Sequence, residues 1–257
     1  TFRKAMIPDE NRIALTCFTQ EENRRFLRKL LKGENYPDSD FDALFKKLGG
    51  HPLATKLAGN YLEDHPSTMV EEYLKEFDIK RSLVTDVDPE ENPTGHIEDV
   101  HATFLLSYEA LSENPDAQEL FRMAVFCAPG IQIPAEVFVE GAFDKKKYDE
   151  LCKELSRVGL VDKEGNLIRI HPLLAEFGQK LDGANDTLEK LADVLASVSA
   201  DLLRTEDSRN VAPIMPHMET VIGHFGNEEP AVLGSLLNST GSYYNKVAYY
   251  ARAREDL

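Results

Sequence analysis

No G-x-x-x-x-G-K-[ST] segment occurs anywhere in the chain, so it offers neither a backbone nest and lysine for a polyphosphate nor the hydroxyl that holds Mg2+. A complete ATPase is thereby excluded. G-x-S-x-G and H-E-x-x-H are also missing, and the seven histidines do not fall beside carboxylates or cysteines at ligand spacing, so no independent catalytic or metal site is expected. Cysteine is scarce: Cys17, Cys127 and Cys152 form no C-x-x-C pair, which argues against a disulfide framework or zinc site and for a reducing cytoplasm. Basic charge is short as well. Lys plus Arg number 29 against 45 Asp plus Glu, a net charge of −16, which repels phosphate backbones and anionic lipid and makes nucleic acid an unpromising partner. No apolar run reaches the ~20 residues that span a bilayer, and no leader precedes Thr1, so a soluble, unexported protein is expected. The chain lacks an initiator Met and stops at Leu257 within a helical pattern, as an excised piece of a longer protein would.

What is present is helical. With 257 residues and 42% hydrophobic content, two or three compact units are expected. Residues 1–14 are a polar lead-in. Thr19-Gln20-Glu21-Glu22 is a capping box, and Phe26, Leu27, Leu30 and Leu31 give a helix near 19–32 its apolar face. Gly33 stops it, and Ser39 is placed to cap the next. The stretch Leu48-Gly49-Gly50-His51-Pro52-Leu53-Ala54 then joins two apolar stripes, Phe41, Leu44, Phe45 and Leu48 before it and Leu53, Leu57, Ala58, Tyr61 and Leu62 after it. Two glycines free to turn left-handed and a proline preset for a first helical turn predict a tight corner. A fourth helix with Met69, Val70, Tyr73, Leu74 and Phe77 completes a helical unit over 15–84.

Residues 85–99 hold six acidic side chains and no Lys or Arg, and read as a solvated linker. From 100 to 182 four helical stripes, the last with Tyr148, Leu151, Cys152 and Leu155, precede two short strands at 160–163 and 166–170 with Glu164-Gly165 as their turn, and one more helix follows. Helices, a hairpin and a helix describe a winged helix. Over 183–257 a long stripe from Leu188 to Leu203 is followed by a segment broken by Pro213, Pro216, Gly223 and Gly226. The fold class is mainly α: a small helical bundle, a winged-helix domain with a short β-hairpin, and an α-helical region leading into a tetratricopeptide-like repeat.

Three motifs carry a family resemblance. Gly50-His51-Pro52-Leu53-Ala54 resembles the G-x-P-L-A of the small helical domain in STAND-class signal-transduction ATPases, the group of NB-ARC and NOD-like proteins. Ser107-Tyr108-Glu109-Ala110-Leu111 is similar to the S-Y-x-x-L that opens their winged helix. Ile170-His171-Pro172-Leu173-Leu174 stands where they carry M-H-D, with Ile170 in place of Met and Pro172 in place of Asp, an H-P-L form that prokaryotic members often show. Leu237, Gly241, Tyr244, Ala248, Tyr250 and Ala253 resemble positions of a tetratricopeptide repeat, with Thr240 where Leu is usual.

The resemblance implies that residues 1–14 end a missing nucleotide-binding domain, and that Gly50, Pro52 and His171 touch ADP or ATP held, with Mg, mainly by that domain. Pro52 would pack on adenine and His171, as imidazolium, would meet the terminal phosphate. Protein partners would bind the repeats, and the activated parent, a slow ATPase, could assemble as a homo-oligomer. Other readings of the same residues stay open. Gly-x-Pro simply stops one helix and starts another, and His171 caps its helix or packs under the wing. Lys145, Lys146, Lys147, Lys153 and Arg157 on the fourth helix of 100–182 suggest a DNA-binding regulator, although Asp149, Glu150 and Glu154 interleave with them; a third reading is a repeat scaffold that binds protein only.

Overall fold

The computed structural model describes residues 16–31, 36–84, 97–139, 141–204, 210–226 and 231–255, without the side chains of 184–185 and 249–255. Among them it is mainly helical, with one small two-stranded antiparallel sheet. The lead-in at 1–14, Gly33 and positions 85–96 of the acidic segment lie outside the described residues.

Helix α1 (Gln20–Leu30) starts as its sequence dictates. Glu22 donates its N–H to Thr19 Oγ1 at 3.3 Å and Thr19 donates its own to Glu22 Oε2 at 2.8 Å, so two orphan amides are satisfied at once. Helix α2 (Asp38–Leu48) has Pro37 at its N-cap; Ser39, expected to cap it, lies inside the first turn. Helix α3 (Pro52–Asp64) begins on its proline. The side chain of Asn23 is buried against α3, donating to Thr55 Oγ1 at 2.9 Å. Helix α4 (Val70–Leu83) buries Val70, Tyr73 and Phe77. Met69, expected on that apolar face, is instead the N-cap and 63% exposed, because the stripe begins one residue later.

Helix α5 (Ile97–Glu109) starts inside the segment read as linker, so positions 97–99 are helical. It packs along α3 and α4, and Lys80–Glu109 and Arg81–Asp99 pair across that contact, each at 2.6 Å. The helical unit and the next one therefore share a continuous buried core here. Helix α6 (Pro115–Ala124) follows, capped by Asn114, then a short α7 (Glu136–Val139) and α8 (Lys145–Arg157), capped by Asp144. On α8 the expected stripe Tyr148, Leu151, Cys152 and Leu155 is buried.

Strands β1 (Asp162–Glu164) and β2 (Leu167–Arg169) pair antiparallel with Asp162 opposite Arg169 and Glu164 opposite Leu167. The turn is thus Gly165-Asn166, one residue later than expected, with Gly165 at φ 59°. Ile133 adds a bridge to Ile168, with bonds of 2.7 and 3.2 Å. Helix α9 (Pro172–Gln179) returns to α5 and α6, where Phe104 meets both Phe121 and Phe177 at centroid distances of 5.8 Å. Burying each such ring contributes about 1.5–3 kcal/mol relative to leaving it exposed.

Helices α10 (Ala184–Arg204), α11 (Met215–His224) and α12 (Ala231–Glu255) close the described chain. Pro216, expected to break a helix, sits in the first turn of α11, where a missing N–H costs nothing. On α12, Leu236 and Ser239 are buried and Tyr243 packs on the core. The repeat-like positions Leu237, Gly241, Tyr244 and Ala248 lie on exposed surface, and the side chains of Tyr250 and Ala253 are outside the described residues. No helix among the described residues is long and apolar enough to cross a membrane.

Candidate functional site

The corner at 48–54 depends on two left-handed glycines. Gly49 ends α2 at φ 59° and Gly50 follows at φ 67°, a conformation that costs a side-chain-bearing residue energy. Gly50 is crowded too. Phe18 donates its N–H to the Gly50 carbonyl at 2.8 Å, and a Cβ on Gly50 would lie 2.5 Å from the Phe18 carbonyl oxygen. Gly50 therefore holds the segment before α1 against the corner, and it is Phe18 rather than Gly50 that lines the adjoining cavity.

Pro52 and His171 line that same cavity, whose volume is about 290 Å3. One flank is Phe18, Phe26, Pro52, Leu53 and Lys56; the other is Gly159 to Asp162, Arg169, His171 and Leu174. Its size falls near the lower end of ligand pockets, about 300–1,000 Å3. Pro52 and His171 each introduce a helix, α3 and α9, so two helix N-termini, the ends that favour anions, adjoin one space.

Charge gathers at the rim. Lys56 Nζ stands 2.5 Å from Asp162 Oδ1, and Arg169 reaches Asp162 Oδ2 at 3.6 Å. Lys56 is partly exposed and Asp162 exposed, so solvent screens the pair and it contributes roughly 0–1 kcal/mol. The two flanks also meet closely at Gly159, at φ 83°, where a Cβ would come within 2.6 Å of Asn60 Nδ2 on α3.

His171 stands at the rim, the residue exposed on one side and its ring partly desolvated, and is the N-cap of α9, its Nδ1 accepting the Leu173 N–H at 3.2 Å. A ring that accepts at Nδ1 carries its proton on Nε2 when neutral. Partial burial and then the Lys56 charge hold its pKa below the usual 6.5, with Asp162 opposing. The imidazolium expected for this position is thus disfavoured, since a second proton would destroy the cap acceptor and place a cation beside Lys56. The remaining Nε2–H is a neutral donor.

The helix-capping reading of His171 and the ligand-facing reading are therefore compatible: one nitrogen caps and the other is left for a ligand. The sequence alone did not single out Lys56, Asp162 or Arg169. Signals existed for two of them. Lys56 lies one turn after Pro52 on α3, and Arg169, the last residue of β2, lies two residues before His171. Asp162 enters only through the hairpin register. Among the described residues no group of three or more His, Cys, Asp or Glu could hold a metal. Comparison with protein-family models and with curated proteins finds no match for this chain.

Proposed function

We propose that this chain is the regulatory part of a nucleotide-switched signalling ATPase of the STAND type, in which residues 15–84 form the helical domain, 100–182 a winged helix, and 183–257 the lead into a tetratricopeptide array. The observation that supports it is the shared cavity: Pro52 and His171, the two positions at which the resemblance implies nucleotide contact, fall on one apolar space with a cationic rim.

The residues fit part of a nucleotide and not all of it. Pro52, Leu53 and Phe18 offer apolar surface to a purine ring, and His171 Nε2–H, Lys56 and Arg169 offer donors to phosphate. The sequence carries no G-x-x-x-x-G-K-[ST] motif, so in this reading the polyphosphate and Mg2+ belong to a P-loop domain outside this sequence. Bound ADP would supply the negative charge that both flanks recognise. Pro52 then orients the base, His171 donates to the terminal phosphate without changing protonation, and Lys56 and Arg169 exchange Asp162 for the anion. Holding both flanks together keeps the closed state. A signal at the repeats separates them, and oligomer assembly follows ATP exchange.

The test uses two proteins. A charge-assisted hydrogen bond contributes about 1.5–3 kcal/mol, whereas micromolar affinity needs about 8 kcal/mol, so calorimetry on this chain alone should show no saturable micromolar ADP binding. In a longer protein that supplies a P-loop, His171→Asn, which keeps an N-cap acceptor, should speed ADP release without lowering stability. Unchanged ADP release in that variant overturns the reading.

A further inference from the structure

The nine residues 125–133, between α6 and α7, are held from several directions at once. Gln179 Nε2 on α9 donates to the Val125 carbonyl at 2.6 Å. The Gly130 N–H donates to the Ile170 carbonyl at 2.9 Å, and Ile133 brackets Ile168. One side chain of α11 holds it as well: His217, with no exposed surface. Its Nδ1 accepts the Ala128 N–H at 3.1 Å, and its Nε2–H donates to the Gln132 carbonyl at 3.0 Å.

Both nitrogens of one buried ring thus bond the backbone of one segment, and that segment bonds the backbone of Ile170, the neighbour of His171. We propose that His217 is a positioning residue, the joint through which the placement of α11 sets the placement of β2 and of His171. A displacement of α11 relative to the preceding unit pulls Ala128 and Gln132 together, shifts Gly130, and moves the Ile170 carbonyl that precedes the α9 cap. The joint is rigid because a neutral imidazole meets a donor and an acceptor at fixed separation, and it opens in one defined way, since a second proton on Nδ1 turns the acceptor toward a donor.

Several charged groups on the neighbouring elements are occupied elsewhere. Glu119 on α6 pairs with Lys190 of α10 at 2.9 Å and with Arg122 at 3.3 Å. Glu219 of α11 accepts from Tyr244, Glu164 of β1 accepts from Gln132 Nε2 at 2.9 Å, and His224 packs edge-on to Phe126. Burial and the Gln132 carbonyl are what act on the His217 ring.

Nuclear magnetic resonance on the whole chain tests this without any nucleotide, so its outcome is separate from that of the proposed function. In His217→Leu, the amides of Gly130 and Ile133 should exchange about tenfold faster or more, the equivalent of one lost hydrogen bond, and the ring resonances of His171 should move. His217→Asn, whose Oδ1 can take the place of Nδ1, should restore the His171 resonances. A His217→Leu protein with wild-type exchange at Gly130 and an unmoved His171 overturns the proposal. Should that variant not fold, acid titration of the wild type decides: Gly130 and Ile133 protection must fall at the same midpoint as the appearance of the proton on His217 Nδ1. Protection that persists beyond that midpoint refutes the joint.

Discussion

Lys56 on α3 and Asp162 on β1, 106 positions apart in sequence, meet at 2.5 Å beside His171. The pair acts on the histidine with opposite signs, Lys56 lowering its pKa and Asp162 raising it. Lys56→Gln should therefore raise the His171 pKa and Asp162→Asn should lower it, read by titrating the ring resonances. Each change should alter unfolding free energy by less than about 1 kcal/mol, because the pair is exposed. Shifts of the same sign in both variants would remove His171 from this rim.

Gly159 and Gly165 both have positive φ, at 83° and 59°, but only Gly159 is crowded, by Asn60 and Leu57 of α3. Gly165→Ala should cost about 1–2 kcal/mol, the backbone penalty alone. Gly159→Ala should cost more, because α3 and the end of α8 must also separate, and it should widen the cavity mouth. Denaturant melts of the two variants give the comparison.

Burial holds the pKa values of His101, His171, His217 and His224 below the usual 6.5. An unfolded chain then binds more protons than the folded one once the pH drops below about 6.5. Stability should be at its full value above that pH and decline as the pH falls through 6.5 toward the lowered folded values. Calorimetric melting between pH 7.5 and 5 checks the sign, and a flat profile would contradict it. His217→Asn should flatten part of the slope.

Thiol chemistry separates the three cysteines. Cys127 is fully buried with its thiol pushed far up, and burial raises Cys152 to about 11. Neither supplies much thiolate at pH 8. A disulfide reagent added to native protein should modify Cys17, which is half-buried, well before the other two, and denaturant should release all three together.

Duplex DNA should bind weakly at physiological salt. On α8, Lys145 pairs with Asp149 at 2.6 Å, Lys147 with Asp116 at 2.7 Å, and Arg157 with Asp64, so much of the helix's basic charge is already neutralised. Fluorescence anisotropy should show no sub-micromolar complex. Such a complex, with a steep salt slope and lost in Lys146→Glu, would promote the DNA-binding reading instead.

Local spacing made most of the helices legible. Thr19 and Glu22, the glycines before Pro52, and the buried row Tyr148, Leu151, Cys152 and Leu155 act within one or two turns, where sequence distance and spatial distance agree. Most misplacements within the helices and the hairpin are small shifts at element ends: Met69 and Ser39 at helix starts, the hairpin turn by one residue, and α5 reaching back to Ile97 because Asp99 is paired by Arg81 rather than solvated. Pro52 and His171 could be named from short motifs, and the resemblance implied one nucleotide for both, but the cavity they line could not be built from those motifs. It depends on α3 packing against the end of α8 and on a hairpin register that sets Asp162 opposite Arg169, and neither has a periodic signature. His217 carried no signal at all, since a single histidine gives no hint that its two partners are main-chain groups 85 and 89 residues away.

Connecting segments normally absorb insertions more readily than the elements they join. The 125–133 segment reverses that expectation, because its carbonyls and amides answer to β2, α9 and α11 in a fixed order. One added residue would put each later bond out of step with its partner. The hairpin tip at Gly165, where a new side chain meets open space, is free of that constraint. Among sequences sharing this fold, length should therefore vary at the tip and stay constant across a stretch that has no helix or strand of its own.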